Sequence, residues 1–267
     1  MAYTFLFYLI ESDQIFLKKY IYRIRAQYTE YMDIALIVPT PFESKSLRQE
    51  IKPQPYDDLK IVLEGDLRGK HTIFTHCGVG KVNAAHSTTL ILENYNIDLL
   101  VLSGIGGAYS RSDLKIGDIA VAISENYGEE GILTEEGWHS MEFIGFPLLK
   151  KEREYYNTFP MDVELAKLAI KASKACGFDV NSGNFVTVSQ CSGTHETGEL
   201  MKKRFNGICE NMEGAAVAHI CALYNVPMIE IRGISNIIEE RYMKKWNIEA
   251  AASNCNKAVI EIVKRLQ

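Results

Sequence analysis

Four residues of this chain could carry polar chemistry: Glu43 in VPTPFES, Glu213 at the start of a helical pattern in ENMEGAAVAH, and Arg232 and Asn236 in MIEIRGISN. A carboxylate can act as a general base, or accept two hydroxyl hydrogen bonds from a vicinal diol. An arginine can orient a carboxylate, and a primary amide carries a donor and an acceptor at once. Each residue also has an ordinary reading. Glu43 would favour the dipole in the first turn of a helix. Glu213 would be a capping-region carboxylate, followed by small residues (GAA) that let a helix approach a sheet. Arg232 could be structural, and Asn236 could pack at a strand end. Whether they act together depends on the elements behind them.

Those elements are short apolar runs that end in Gly or Ser: IALIV (34–38), TIFTHCGVG (72–80), LLVLSGIGG (99–107), IAVAI (119–123), NFVTVS (184–189) and MIEIRGIS (228–235). Rich in Val and Ile and bounded by turn residues, they read as buried strands. Between them, residues 81–96, 163–176, 213–224 and 246–266 repeat apolar positions at helical spacing. Alternating strands and helices predict a three-layer α/β/α domain with a mixed, mainly parallel sheet over residues 32–267. Ligands of such sheets sit beyond the carboxyl ends of the strands, which is where Glu43 and Asn236 fall. The glycine-rich strand ends GVGKVNAA (78–85) and GIGG (104–107, with Gly106) allow tight packing or a cleft lined by backbone. Residues 133–161 lack clean periodicity and read as a covering flap or a substrate-lining segment.

The chain has 267 residues, 47% of them hydrophobic and 24% charged, so it can bury a full core without disulfides. A net charge of −5 argues against coating nucleic acid or an anionic membrane. The six cysteines form no CxxC pair and read as reduced core residues of a cytoplasmic protein. Residues 2–10 are apolar but too short to span a bilayer, and their positive charges follow the apolar run, so a secretory signal is not expected. Residues 1–31 read as an extension outside the core, or as an extra helix packed on it. His195 in SGTHETGE has no metal-ligand partners at the required spacing, and no GxSxG elbow is present. Neither a metal nor any other cofactor is expected.

The segments MDIALIVPTPFES, CGVGKVNAA, SGIGGAY and ENMEGAAVAHICALYNVPMIEIRGISN, in that order, resemble the nucleoside phosphorylase and nucleosidase superfamily over residues 32–266. Within it the sequence is similar to the futalosine hydrolases of an alternative menaquinone pathway, relatives of the methylthioadenosine/S-adenosylhomocysteine nucleosidases. The resemblance implies a homodimer or larger assembly that cleaves a purine–ribose bond. It places Glu43 where hydrolytic relatives activate water, Glu213 at the ribose diol with Met212 packing on the sugar, and Arg232 as the residue orienting them. Gly106, Gly193, Thr194 and Ser235 join the substrate-binding set.

Asn236 stands where adenine-specific relatives carry Asp, which accepts from the 6-amino group. A 6-oxopurine offers O6, an acceptor, and an ionised Asp would meet it acceptor against acceptor. The Asn amide can donate to O6 and accept the proton that develops on N7. That argues for hypoxanthine over adenine. Neither VPTPFES nor the residues before GIGG supply an arginine for a phosphate dianion, so water is the expected acceptor of the sugar. Futalosine carries a benzoate on its 5′ side. Arg241, Lys244, Lys245 and Trp246 are the residues nearest in sequence to Asn236 that could line it. Three alternatives stay open: a phosphorylase of inosine or guanosine, a methylthioadenosine nucleosidase, and a nucleoside-binding protein without catalysis.

Overall fold

The run IALIV becomes β1 (Asp33–Val38), buried from Ile34 onward because helices cover both faces of its sheet. The computed structural model describes residues 32–53, 62–239 and 242–266. The extension at residues 1–31 lies outside the described residues. After β1 come α1 (Lys45–Glu50), β2 (Lys52–Pro53), β3 (Val62–Leu67), β4 (Lys70–His76), α2 (Lys81–Asn94), β5 (Leu99–Ala108) and β6 (Ile119–Tyr127). Residues 132–160 form β7 (Ile132–Thr134), β8 (Gly137–His139), α3 (Met141–Ile144), β9 (Leu149–Lys150), β10 (Glu154–Tyr155) and β11 (Thr158–Pro160). The chain closes with α4 (Val163–Ala175), β12 (Val180–Thr187), α5 (His195–Phe205), β13 (Gly207–Asn211), α6 (Gly214–Tyr224), β14 (Met228–Ile237) and α7 (Ile248–Arg265).

A ten-stranded mixed sheet runs β11-β6-β12-β13-β5-β1-β4-β3-β2, and β14 pairs with both β5 and β6. That double pairing closes β5, β14, β6, β12 and β13 into a ring. The ring interior holds mainly small side chains, Ala108, Ala120, Ala122 and Cys209, with Phe185 and Ile234, as a narrow closed sheet requires. Outside it, α4 and α7 cover one face through Ala166, Ala169, Val259 and Ile262. The other face is covered by α2 and α6 through Ala84, Ile91, Ala215 and Val217. This is the expected α/β layering, with antiparallel pairs at the sheet edge and where the ring closes.

Two of the cysteines depart from the expected core placement: Cys191 is exposed and Cys176 half-buried, while Cys77, Cys209, Cys221 and Cys255 are buried and all six are free thiols. Residues 133–161, expected as a loop, form two small hairpins joined by α3. Phe159 ties this segment to the core by stacking on Tyr155 and His219.

Candidate active site

A cavity of about 360 Å³ opens at the carboxyl ends of β1, β5 and β14. Glu43, Gly106, Met212, Glu213, Arg232, Ser235, Asn236 and Trp246 all line it. Sequence separations of about two hundred residues are therefore bridged, because parallel strands deliver their ends to one edge.

Glu43 lies in the turn between β1 and α1 and is 6% exposed. The Ile105 N–H donates to its Oε1 at 2.9 Å, and the Thr40 hydroxyl donates to its Oε2 at 2.6 Å. A side chain at Gly104 would put its Cβ 2.9 Å from both Glu43 Oε1 and Arg232 Nη1. Glycine there lets the carboxylate and the guanidinium converge.

Glu213 occupies the N-cap position of α6, yet its side chain makes no capping bond. Asn211 caps instead, its Oδ1 accepting from the N–H groups of Glu213 (2.9 Å) and Gly214 (2.7 Å). The Thr187 hydroxyl accepts from Ala215 N–H at 2.7 Å. Relieved of that duty, Glu213 accepts from Gly80 N–H (3.0 Å) and from Arg232 Nη1 (3.2 Å). Both glycine-rich strand ends thus turn a backbone N–H toward a carboxylate of the site, Ile105 toward Glu43 and Gly80 toward Glu213.

Arg232 is fully buried and donates from Nε to Glu230 at 2.9 Å, from Nη1 to Glu213 and from Nη2 to Asn211 at 3.3 Å. Burial opposes its charge, but the carboxylates of Glu230, Glu213, Glu43 and Glu125 outweigh burial and raise its pKa above the ordinary arginine value. It stays a cation spent on orienting carboxylates.

Asn236 is presented by a β-bulge. Ile234 pairs with Gly106 and Asn236 with Gly107, so Ser235 is one residue too many on β14. A bulge re-aims the side chains that follow it. The Ser235 hydroxyl lies 2.7 Å from Asn236 Oδ1 and 3.1 Å from the Gly106 carbonyl oxygen. It donates to the amide oxygen, and the amide Nδ2 makes only a long contact, 3.4 Å, to the Ile237 carbonyl. An N–H of Asn236 is thereby left for a ligand, and its oxygen keeps a second lone pair.

The other expected residues divide. Gly193 and Thr194 do not line the cavity; Thr194 caps α5, its hydroxyl accepting from Thr197 N–H at 3.2 Å. Their neighbours Cys191 and Ser192 line it instead. Lys244 and Lys245 are exposed, and Lys245 pairs with Glu239 at 2.6 Å. Arg241 lies outside the described residues. Residues 133–161 contribute nothing to the cavity wall, which goes against the substrate-lining reading. Sequence reasoning missed Glu210, a buried wall residue on β13. Burial pushes its carboxyl above the ordinary value, against the pull of donors from Ser192 and Tyr109. The motif ENMEGAA contained it, but GICEN is too short and polar to announce a strand.

Comparison with known proteins decides the family: the sequence profile of the Phosphorylase superfamily matches residues 33–266. The chain belongs to the phosphorylase superfamily. A 5′-methylthioadenosine/S-adenosylhomocysteine nucleosidase from Halalkalibacterium halodurans is 29% identical over 205 residues, 76% of this chain and 84% of its own. A futalosine hydrolase from Thermus thermophilus is 30% identical over 194 residues, 72% of this chain and 81% of its own. The crystal structure of the Neisseria meningitidis methylthioadenosine/S-adenosylhomocysteine nucleosidase with methylthio-immucillin-A superposes with a TM-score of 0.74 at 25% identity, covering 88% of this chain and 99% of the other. These phosphorylase-superfamily relatives are nucleosidases, and this member is likewise a hydrolase of N-glycosyl bonds.

Proposed function

We propose that this nucleosidase hydrolyses a 6-oxopurine nucleoside of the futalosine type, releasing hypoxanthine, with water as the nucleophile. The observation that carries the reading is Asn236, an uncharged amide at the cavity wall whose oxygen is pinned by the Ser235 hydroxyl. Its free N–H suits an acceptor on the base, O6 or N7, and its second oxygen lone pair suits a proton arriving on N7. As the glycosidic bond breaks, the base gains negative charge and the sugar becomes oxocarbenium-like. Hydrogen bonds that strengthen on the departing base lower that barrier.

At the other end of the cavity, Glu43 takes the proton of the attacking water, a contribution of about 10²–10⁴-fold. Glu213 accepts from the ribose diol, with Met212 against the sugar. Arg232 is the one cation among the described residues lining the cavity, and Glu213, Glu230 and Asn211 occupy it. A phosphate dianion would find no charge-assisted donor there, which supports hydrolysis over phosphorolysis. Trp246, Ile248, Phe42 and Val79 supply an apolar wall suited to an aromatic 5′ group. Arg241 is the candidate partner for the benzoate carboxylate.

We place the enzyme in the cytoplasm as a homodimer. Among the described residues no helix is long and apolar enough to cross a membrane, and Val82, Phe143 and Phe146 stand exposed as material for a subunit contact. Sedimentation at micromolar concentration tests the dimer, and a monomer would overturn it.

The many methylthioadenosine nucleosidases among the relatives favour a second reading, adenine release. One assay separates the two: base release from futalosine, inosine and methylthioadenosine, without phosphate and with it. Phosphate-independent hypoxanthine release from futalosine is expected. Adenine release from methylthioadenosine as the faster reaction would overturn the assignment of Asn236, and a requirement for phosphate would overturn that of Glu43.

A further inference from the structure

One hydroxyl on the cavity wall has no part in the mechanism above. Thr40 opens the turn Thr40-Pro41-Phe42-Glu43 that carries the general base, and it lines the cavity beside Glu43. Pro41 fixes φ at the second turn position, and the Glu43 N–H donates to the Thr40 carbonyl oxygen at 3.2 Å. The next residue, Ser44, is wholly buried, and its hydroxyl lies 2.7 Å from Nε2 of His76, the last residue of β4. The turn is thus closed on itself and anchored to the sheet. Within it the Thr40 hydroxyl lies 2.6 Å from Glu43 Oε2. An ionised carboxylate has no hydrogen to give, so Thr40 is the donor, and the length is that of a charge-assisted bond.

The need for that bond follows from what stands opposite. Glu43 Oε1 and Arg232 Nη1 each lie 2.9 Å from the point where a Cβ at Gly104 would sit, and glycine leaves that point empty. Opposite charges across so short a buried gap attract strongly, and the Glu43 carboxylate helps to keep Arg232 charged. Yet the ion pairs of Arg232 among the described residues go to Glu213 and Glu230. Two donors hold Glu43 in place: the Ile105 N–H takes Oε1, the oxygen at the gap, and the Thr40 hydroxyl takes Oε2. Paired directly with Arg232, the carboxylate would lose basicity that water activation requires.

We propose that Thr40 is a positioning residue of the hydrolysis: its hydroxyl holds Glu43 apart from Arg232, so that the carboxylate stays open to the attacking water. This rests on the reading of Glu43 as the general base.

The test is a double-mutant cycle on base release in phosphate-free buffer, using the nucleoside that wild type cleaves fastest. The variants are Thr40→Val, Thr40→Ser, Glu43→Gln and Thr40→Val combined with Glu43→Gln. Thr40→Val should lower kcat about 10–100-fold, the range for losing one hydrogen bond to a charged group, with KM within about three-fold. Thr40→Ser, which keeps the hydroxyl, should stay within about three-fold of wild type in kcat. In the Glu43→Gln background Thr40→Val should cost less than about two-fold, because residues that act through one group are not additive. Thr40→Ala makes the same comparison if the valine variant does not fold. Wild-type kcat in Thr40→Val would overturn the proposal and leave Glu43 as the base. A loss that serine does not restore would do the same, assigning the effect to the Thr40 methyl group, as would an equal loss in both Glu43 backgrounds. Wild-type kcat in Glu43→Gln would overturn the general base and this proposal together.

Discussion

Arg232 stands between two pairs of carboxylates that are built differently. Glu43 and Glu213 line the cavity, and each oxygen of theirs takes a single donor from the protein. Glu125 and Glu230 lie behind them, both fully buried. Glu125 accepts from Asn211 Nδ2 (2.6 Å), the Thr187 hydroxyl (2.7 Å) and Asn126 N–H (3.1 Å). Glu230 accepts from Arg232 Nε, and its Oε2 has no hydrogen-bond donor among the described residues. Burial first, then the neighbouring Glu230 carboxylate, pushes the Glu125 carboxyl far above the ordinary range. Burial also raises that of Glu230, although Arg232 pulls against it. Two carboxylates so placed cannot both ionise; the proton stays on Glu125, and Glu230 is the acceptor that faces it. The contrast teaches what makes a buried acid available for chemistry. The front pair keeps spare lone pairs toward a ligand; the rear pair spends its own on the protein.

Substitution of the front pair should give the largest effects. Glu43→Gln should lower kcat by about 10²–10⁴-fold with KM little changed, read by steady-state kinetics of base release. An equal fall in kcat with no change in pH dependence on Glu43→Asp would assign Glu43 to packing. Glu213→Gln should act more through KM, with kcat/KM down about 10–100-fold for the loss of a charge-assisted pair to the sugar hydroxyls. A 2′-deoxy substrate should lose less in that variant than in wild type.

The rear pair should show itself in stability. Sign follows from the raised folded pKa of Glu125: its contribution is complete below the unfolded value of about 4.3 and is lost as pH rises above that value toward the folded pKa. Urea midpoints of wild type should therefore fall more steeply with rising pH than those of Glu125→Gln, whose amide does not ionise. Parallel slopes would mean that Glu125 titrates alike folded and unfolded.

The smallest effect on activity is expected at His71, at the far end of β4 from the cavity. Its Nδ1 meets Asp33 Oδ1 at 2.9 Å and its Nε2 meets Glu64 Oε1 at 3.0 Å. The hydrogen bond to Asp33, then that to Glu64, raises its pKa to about 9. The stability it gives is complete below its unfolded pKa of about 6.5 and is lost as pH rises through about 9. His71→Gln should remove that slope from the unfolding midpoint and leave kcat/KM within about two-fold, since exposed-end changes rarely reach a distant site.

Much of this arrangement was legible in the sequence. The six apolar runs at 34–38, 72–80, 99–107, 119–123, 184–189 and 228–235 all became strands, because a buried strand needs an unbroken apolar segment between turn residues. Glu43 and Asn236 stood out because each follows such a run, Arg232 because it is a charge within one, and Glu213 because it opens a helical pattern. What stayed hidden was set by pairing. β13 carries Cys209, Glu210 and Asn211 in five residues without period, and only the ring closure makes it a strand. Glu230 sits inside an apolar run and Glu125 just past one, where a carboxylate looks like an error until its partner from another strand arrives. Gly193 and Thr194 misled because the loop that holds them turns away into the cap of α5.

The extra residue on β14 works as a frameshift does in a repeating code. A strand has a period of two, so one inserted residue exchanges inside for outside in everything downstream. Ile234, before the insertion, packs within the ring, while Asn236, after it, lines the cavity beside Gly107. Paired without the bulge, Ser235 would take the place opposite Gly107 and push Asn236 opposite Ala108, into the ring interior. The amide would then be buried among alanine and cysteine, and the Ser235 hydroxyl would stand in its place beside Gly107. Which side chain this strand turns to the cavity thus hangs on a count of residues as much as on their kinds.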